Sequence, residues 1–261
     1  MAMYKNVWNE CYAALCSISF YNSNGIKAFA VTGFKVDNYI VTEEMVYDAE
    51  RYDYVIIRFV EADANTASRE MKLNSNKFRD RIHSGVKSEN EGFALIDISN
   101  TPVADMPSVM PASCSDISIG TQVAIIGFHF DTTNLSLHSG IISSILKTNE
   151  GKQYIQYDVS IRQGMSGSPI ISLETNRVIG IIGYRLTSLS RKYEQFRQII
   201  DENLTQLQSV IGERLIGAID PVQVLIASQN QLKQMGRELY KESHSSFGYA
   251  HTIDNLSNYL S

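Results

Sequence analysis

The sequence has few prolines, few cysteines and no long apolar run, and each shortage excludes a class of protein. Only 5 prolines occur in 261 residues, while 44% of the residues are hydrophobic, which is typical of an ordered chain and not of a disordered one. No run approaches the roughly 18 apolar residues of a membrane helix, so we expect no membrane span. The length predicts one unit made of two small lobes.

Positive charge, cysteine and clustered histidine are also scarce. Acidic residues outnumber basic ones 28 to 23, without a block of like charge, so we expect no binding to nucleic acid. Cys11, Cys16 and Cys114 form an odd, scattered set, and the N-terminal residues do not resemble a signal peptide. We therefore predict a cytoplasmic location. The 5 histidines are isolated and no Cys-x-x-Cys occurs, so we expect neither a metal nor another cofactor.

Short β-type segments follow one another through residues 15 to 186, and no strand–helix alternation interrupts them. They are rich in Val, Ile, Tyr and Phe and are separated by Gly, Asn, Asp and Ser. This pattern predicts an all-β barrel or sandwich. The predicted strands are 15–21, 28–35, 39–41, 54–59, 93–98, 122–130, 140–145, 154–159, 170–172 and 178–184.

The period changes after residue 190. Apolar residues recur every three or four positions from Tyr193 to Ile211, and after a break Asp220 and Pro221 supply a helix cap and a first-turn proline. Leu225, Leu232, Met235 and Leu239 continue a second apolar face. We predict a helical hairpin that covers its own core, with a docking surface as the alternative.

Residues 164 to 169 read Gly-Met-Ser-Gly-Ser-Pro between two predicted strands. Further segments in chain order are Thr32-Gly33-Phe34, 39–46, 93–98, 123–127, 139–143 and 247–256. Together these segments resemble bacterial trypsin-like serine proteases of the HtrA type, over residues 12–187 and 246–260. The resemblance implies two six-stranded β-barrels, at 1–110 and 111–260, with residues 188–245 as a helical insertion in the second.

The resemblance also assigns catalytic positions. Ser166 falls at the nucleophile, and the backbone N–H groups of Gly164 and Ser166 fall at the oxyanion hole. The histidine and aspartate positions are taken by Met45 and Gly92. Serine needs a neighbouring base, usually an imidazole oriented by a carboxylate, and neither replacement can act as one.

Several other residues are candidates for a substitute base. Glu91 adjoins Gly92 but is expected to point to the opposite face of its strand. His83 lies on the connection between the strands at 54–59 and 93–98, and Glu43 and Glu44 flank Met45. His129 and His138 are expected in the loop between two strands of the second barrel, at its surface or lining a pocket.

The resemblance places Ser160 and Gly183 in the substrate pocket. Ser160 is uncharged, so a medium or apolar side chain is expected to suit the pocket better than lysine or arginine.

We interpret the chain as a degenerate protease-fold protein that binds a peptide or protein partner in a regulatory or scaffolding role, with helices 190–244 as a possible docking surface for a hetero-complex. Two alternatives stay open, namely an active serine endopeptidase with a non-standard or partner-supplied base, and an adaptor that works through its helical arm.

Overall fold

The chain is described by a computed structural model that covers residues 2–86, 92–112, 117–132, 134–147, 153–183, 188–212, 220–242, 248–253, 256 and 259. It divides into two units, residues 1–185 with 245–261, and residues 186–244. The first unit carries the β-structure. The second carries two long helices.

A seven-stranded antiparallel sheet forms the first lobe. The strands are β1 Leu15–Tyr21, β2 Lys27–Val36, β3 Tyr39–Glu43, β4 Tyr54–Val60, β5 Ala67–Asn74, β6 Ile82–Val86 and β7 Phe93–Asp97. Their spatial order is β5-β4-β1-β2-β3-β7-β6. A short helix, α2 Ser75–Arg79, connects the two edge strands and buries Phe78 against the ring of Phe20. The first lobe is therefore an open sheet in the described residues, not the closed six-stranded barrel that we predicted.

The second lobe is a closed six-stranded barrel. Its strands are β8 Gln122–Phe128, β9 Leu135–Lys147, β10 Gln153–Asp158, β11 Pro169–Ser172, β12 Val178–Ile182 and β13 Gly248–Thr252. They close in the order β10-β13-β12-β11-β8-β9. A six-stranded barrel was predicted here and is confirmed. Most of the predicted terminal helix after Ile253 lies outside the described residues.

Three apolar clusters form the core of this unit. Side chains alternate along each strand, and this alternation decides which cluster a residue joins. In β7, Ala94 and Ile96 belong to the core of the first lobe, whereas Phe93 and Leu95 point the other way. They join Ile126 and other residues of the second lobe in a shared core. The barrel interior forms the third cluster. The shared core fixes the two lobes against each other, so that loops from both can build one site.

Several short elements escaped prediction, and α2 and β6 are two of them. Helix α1, Ala2–Cys11, and a 3₁₀ turn, Tyr12–Ala14, precede β1, where no element was predicted. Val7 and Cys11 are four residues apart and both are buried, so the helical spacing was present but short. The β5 sequence Ala-Ser-Arg-Glu-Met-Lys-Leu-Asn is largely polar because β5 is an edge strand with Met71 as its buried residue.

The second unit contains helix α3, Ser188–Gln208, and helix α4, Pro221–Glu242. The Asp220 carboxylate accepts the backbone N–H groups of Val222, at 2.9 Å, and Gly212, at 3.0 Å, so it caps α4 as the sequence indicated. The ring of Phe196 packs against Gly236, where a Cβ atom would come within 2.5 Å of it. Within the described residues, no helix is both long and apolar enough to cross a bilayer.

Candidate functional site

The turn between β10 and β11 holds Ser166 in a tight conformation. Gly164 and Gly167 on either side have φ angles of +95° and +82°, which side chains with a Cβ atom rarely adopt. Met165 donates its N–H to the Arg162 carbonyl at 3.1 Å, and Ser168 donates to the Met165 carbonyl at 3.0 Å. Ser166 itself is half-buried. The turn therefore presents its hydroxyl at the surface of a well-ordered loop.

Thr32 of β2 anchors this turn to the first lobe. Its backbone N–H donates to the Ser166 carbonyl at 2.8 Å, and its hydroxyl donates to the Gly164 carbonyl at 2.8 Å. The same hydroxyl accepts the Phe128 N–H at 2.9 Å, so one buried side chain joins β2, β8 and the turn. Among the described residues, the N–H groups of Gly164 and Ser166 donate to no other group. Both donors are therefore available to a ligand, as an oxyanion hole requires.

Gly167 packs where a side chain cannot fit. A Cβ atom there would overlap the Thr32 carbonyl oxygen and come within 2.5 Å of the Thr42 hydroxyl. The backbone of Gly167 also donates to the Ile182 carbonyl at 2.7 Å. The turn is thus pressed between β2, β3 and β12.

We expect Gly167→Ala to destabilise the protein more than Gly120→Ala. Both glycines have positive φ, so alanine at either position carries a backbone cost of about 1–2 kcal/mol, but no atom lies within 4 Å of a Cβ at Gly120. The overlap at Gly167 should lower the free energy of unfolding by about 1–3 kcal/mol more, measured by urea denaturation. Equal losses in the two variants would contradict the tight packing.

The positions assigned to the catalytic base and acid hold no such groups. Met45 is half-buried in a 3₁₀ segment, Glu44–Arg51, directly after β3, and Gly92 is buried directly before β7. Strands β3 and β7 pair with Glu43 opposite Phe93, which brings these two positions to one end of the strand pair. In the part of the chain that the structure describes, the Ser166 hydroxyl has no hydrogen bond to any imidazole or carboxylate.

The other candidate bases lie in different surroundings. His83 is exposed on the edge strand β6, not on a loop, and its ring lies 5.0 Å from that of Tyr39. His138 belongs to β9, so its predicted place in a loop is wrong, and it contacts His129 and Ser136. Glu44 is buried and already has an interaction partner. Glu91 lies outside the described residues.

Glu43 is the functional group that the sequence indicated least clearly. Its side chain is fully buried, and Oε2 accepts the backbone N–H of Met45 at 3.1 Å. Its other oxygen, Oε1, is buried and has no hydrogen-bond partner among the described residues. A Cβ on Gly167 would lie 3.1 Å from the Glu43 nitrogen, so the residue sits beside the serine turn. The sequence placed Glu43 next to Met45, but burial depends on packing between the lobes.

Burial changes the protonation of this carboxyl group. It raises the pKa of Glu43 from its ordinary 4.5 to about 8, the hydrogen bond from Met45 opposes the rise, and the nearby charges of Glu44 and Asp48 add to it. At neutral pH the group is therefore mainly a neutral carboxylic acid. A cation or an N–H donor placed against Oε1 would favour the charged form.

We expect the stability of the protein to fall between about pH 5 and pH 8 because of Glu43. The folded state holds a proton there that the unfolded state, with its pKa near 4.5, releases, so unfolding becomes easier as the pH rises through this window. Below pH 4.5 the contribution is fully present, and above about pH 8 it is lost.

Glu43→Gln provides the matched control, since glutamine copies the shape of the neutral acid. The free energy of unfolding, measured by urea at pH 5, 6.5 and 8, should fall more for the wild type than for the variant. The difference is on the order of 1 kcal/mol per pH unit. Parallel pH curves would show that Glu43 is not buried as a neutral acid.

Ser160 and Gly183 lie where the turn meets the neighbouring strands. Ser160 is exposed just after β10, and Gly183 is buried just after β12. Ile182 donates its N–H to the Ser168 carbonyl at 2.9 Å, which holds the end of β12 beside the serine turn. Among the described side chains, no group of three or more His, Cys, Asp or Glu is arranged to hold a metal ion.

An open sheet and a closed barrel that share a core and meet at a glycine-flanked serine turn define a serine-protease-type fold. The family model of the "Trypsin-like peptidase domain" matches residues 22–181, and the chain belongs to this family.

Named relatives place the chain near the HtrA group. Serine protease HTR4 of Bos taurus is 26% identical over 186 residues, which cover 63% of this chain and 37% of that protein. Serine protease HTRA4 of Homo sapiens is 31% identical over 121 residues, which cover 42% of this chain and 24% of that protein. The chain thus spans well under half the length of these relatives.

Solved structures support the same fold. The crystal structure of Deg5 superposes with a TM-score of 0.50 at 18% identity, covering 69% of this chain and 83% of that one. The structure described as "HtrA-type protease AlgWS227A with tripeptide" superposes with a TM-score of 0.52 at 17% identity, covering 74% of this chain and 62% of that one. At these identities the likeness establishes the fold alone. The predicted HtrA-type resemblance is confirmed.

Proposed function

We propose that this chain is a catalytically degenerate member of its family, a pseudoprotease that binds a peptide segment or a partner protein in a regulatory or scaffolding role. The observation that carries the proposal is the isolation of the Ser166 hydroxyl from any base among the described residues. Loss of the histidine from a triad costs on the order of a million-fold in turnover. Peptide binding carries no such penalty.

Two features support binding in particular. Among the described residues the N–H groups of Gly164 and Ser166 donate to no other group, so both can donate to a peptide carbonyl. An extended peptide can also pair along an exposed strand with backbone hydrogen bonds, a mode that needs no catalytic base. A structural neighbour of the chain is described with a bound tripeptide.

Glu43 supports the alternative of a latent enzyme. Its Oε1 is buried and has no hydrogen-bond partner among the described residues. Its Oε2 accepts the N–H of Met45, the position assigned to the histidine. A partner or a ligand could place an imidazole between Glu43 and Ser166. The N–H of that imidazole could then donate to the Glu43 carboxyl group. On this alternative the chain lacks only the base. Glu43 supplies the orienting carboxyl group that Gly92, which has no side chain, cannot supply.

Fluorophosphonate labelling separates the two functions. We expect the wild-type chain to label no faster than Ser166→Ala, because the hydroxyl has no proton acceptor. Met45→His should label at Ser166, since the new imidazole can donate to Glu43 Oε1 and accept from the serine. Met45→His with Glu43→Gln should lose most of this gain, by up to about 10⁴-fold.

Rapid Ser166-dependent labelling of the wild type, alone or with a partner, would overturn the pseudoprotease and favour the enzyme. Failure of Met45→His to label, in a variant whose circular dichroism and melting match the wild type, would instead show that Glu43 cannot orient an imidazole.

The pocket residue Ser160 gives a test of peptide binding. Peptides selected from a random library on the immobilised chain should carry an apolar or medium-sized anchor side chain. Ser160→Asp should shift the selection towards lysine and arginine through charge attraction. Ser166→Ala, which leaves the pocket intact, is the control and should select the same peptides as the wild type. Selection that is indifferent to residue 160 would place the binding site elsewhere.

The helices supply a second surface for a partner. Helix α4 leaves five large apolar side chains exposed, and the three most exposed are Val224 at 58%, Met235 at 58% and Leu239 at 60%. A row of exposed apolar side chains on one helix face is typical of a contact surface. We propose that a protein partner in a hetero-complex covers this face, and we retain the cytoplasm as the predicted location.

A further inference from the structure

A cluster of two imidazoles and one hydroxyl lies in the second lobe and takes no part in the proposed function. His129 follows β8, and Ser136 and His138 lie two residues apart on one face of β9. The Nε2 atoms of the two histidines are 3.4 Å apart, and their ring planes meet at 31°. The Ser136 hydroxyl lies 2.8 Å from His129 Nε2 and 3.1 Å from His138 Nε2.

The distance between the two Nε2 atoms matches the distance between two ligands of one tetrahedral metal ion. Tetrahedral geometry with metal–nitrogen bonds of about 2.0–2.1 Å places the ligand atoms about 3.3–3.4 Å apart. The two Nε2 atoms stand at that spacing. The serine hydroxyl is near enough to both to act as a third donor or to hydrogen-bond a metal-bound water.

Without a cation the cluster is satisfied when one imidazole carries its proton on Nε2 and the other on Nδ1, with the Ser136 hydroxyl between them. That hydroxyl can also donate to the Gly127 carbonyl at 3.2 Å. A divalent cation would take the place of the Nε2 proton and accept both lone pairs.

The positive charge of Arg162 acts on both imidazoles. It repels a cation, so it sets a limit on the affinity of the site.

From this geometry we infer that His129 and His138 form a transition-metal site, with Ser136 beside it, that takes a borderline divalent cation such as Zn²⁺ and leaves positions open for water or an anionic group. Imidazole nitrogen is a preferred ligand of Zn²⁺ and of Cu²⁺. A site with open positions can also accept a carboxylate from a bound peptide.

The position of the site gives it an effect on the cleft. A Cβ atom on Gly164 would lie 3.0 Å from the His129 carbonyl carbon and 2.6 Å from the Phe130 nitrogen, so this segment packs on the proposed oxyanion loop. The Phe130 N–H also donates to the Gln163 carbonyl at 2.9 Å. A metal that pins His129 to β9 would therefore stiffen the loop that carries Gly164.

Isothermal titration of the full chain with Zn²⁺, in a buffer that does not chelate, tests the inference directly. We expect one saturable site per chain. His129→Gln and His138→Gln should each weaken binding at least about tenfold, since each removes a ligand. Arg162→Gln should tighten binding about threefold by removing a nearby positive charge. His83→Gln, an exposed histidine on the first lobe, is the control and should bind as the wild type does.

Absence of saturable binding up to about 1 mM Zn²⁺ would overturn the site, as would unchanged affinity in the His129→Gln/His138→Gln double variant. Substitution of Co²⁺ gives a second readout, because tetrahedral Co²⁺ has intense visible absorption. That absorption should appear with the wild type and disappear with either histidine variant. The titration needs no peptidase activity, so its result is independent of whether the cleft is catalytic.

Discussion

The hydrogen bonds of Thr32 are the constraint on which the candidate site depends. This fully buried residue of β2 bonds to Ser166, Gly164, Phe128 and Thr42, and therefore joins both lobes to the serine turn. Buried hydrogen bonds cost most when one partner is removed, because the remaining groups stay desolvated. Since all four contacts meet at one residue, the turn cannot shift without breaking several of them together. The conformation of the turn is thus a property of the interface between the lobes, and residues 164–169 alone do not determine it.

Glu43 destabilises the same interface that the hydrogen bonds of Thr32 stabilise. A carboxyl group without exposure, with one oxygen unpaired, is costly in its charged form and remains protonated at neutral pH. The apolar residues around it, among them Phe93 opposite in β7, would pack at least as well against an aliphatic side chain. The hydrogen bond that Glu43 accepts from Met45 caps the 3₁₀ segment and offsets part of this cost. If the chain is a latent enzyme, as the alternative proposes, the same carboxyl group would orient a hydrogen-bond donor beside Ser166.

The sequence predicted the strands far better than it predicted how they close and what they bury. Strands such as β8 and β12 are nearly continuous runs of apolar residues, and their positions follow from composition. The edge strand β5 has a polar sequence because one face and one edge meet solvent, so local patterns did not reveal it. Glu43 was found only as a neighbour of Met45, since its burial is decided by residues far away in the chain. The approach of His129 to His138 depends in the same way on the register of β8 and β9, in which Ile125 pairs with His138.

The glycines around Ser166 show why a protease-like motif need not report protease chemistry. A side chain at Gly164 would collide with the backbone of Phe128 and Phe130, and one at Gly167 would collide with Thr32. Gly167 is thus required for the two lobes to pack, and Gly164 for the turn to pack on the segment after β8, whatever Ser166 does. Neither Met45 nor Gly92 anchors the turn through a hydrogen bond in the described structure. The packing residues of the motif and its catalytic residues can therefore be lost separately. A Gly-x-Ser-Gly turn establishes that the lobes are joined in the manner of this family. The side chains beside the Ser166 hydroxyl decide whether the site is also catalytic.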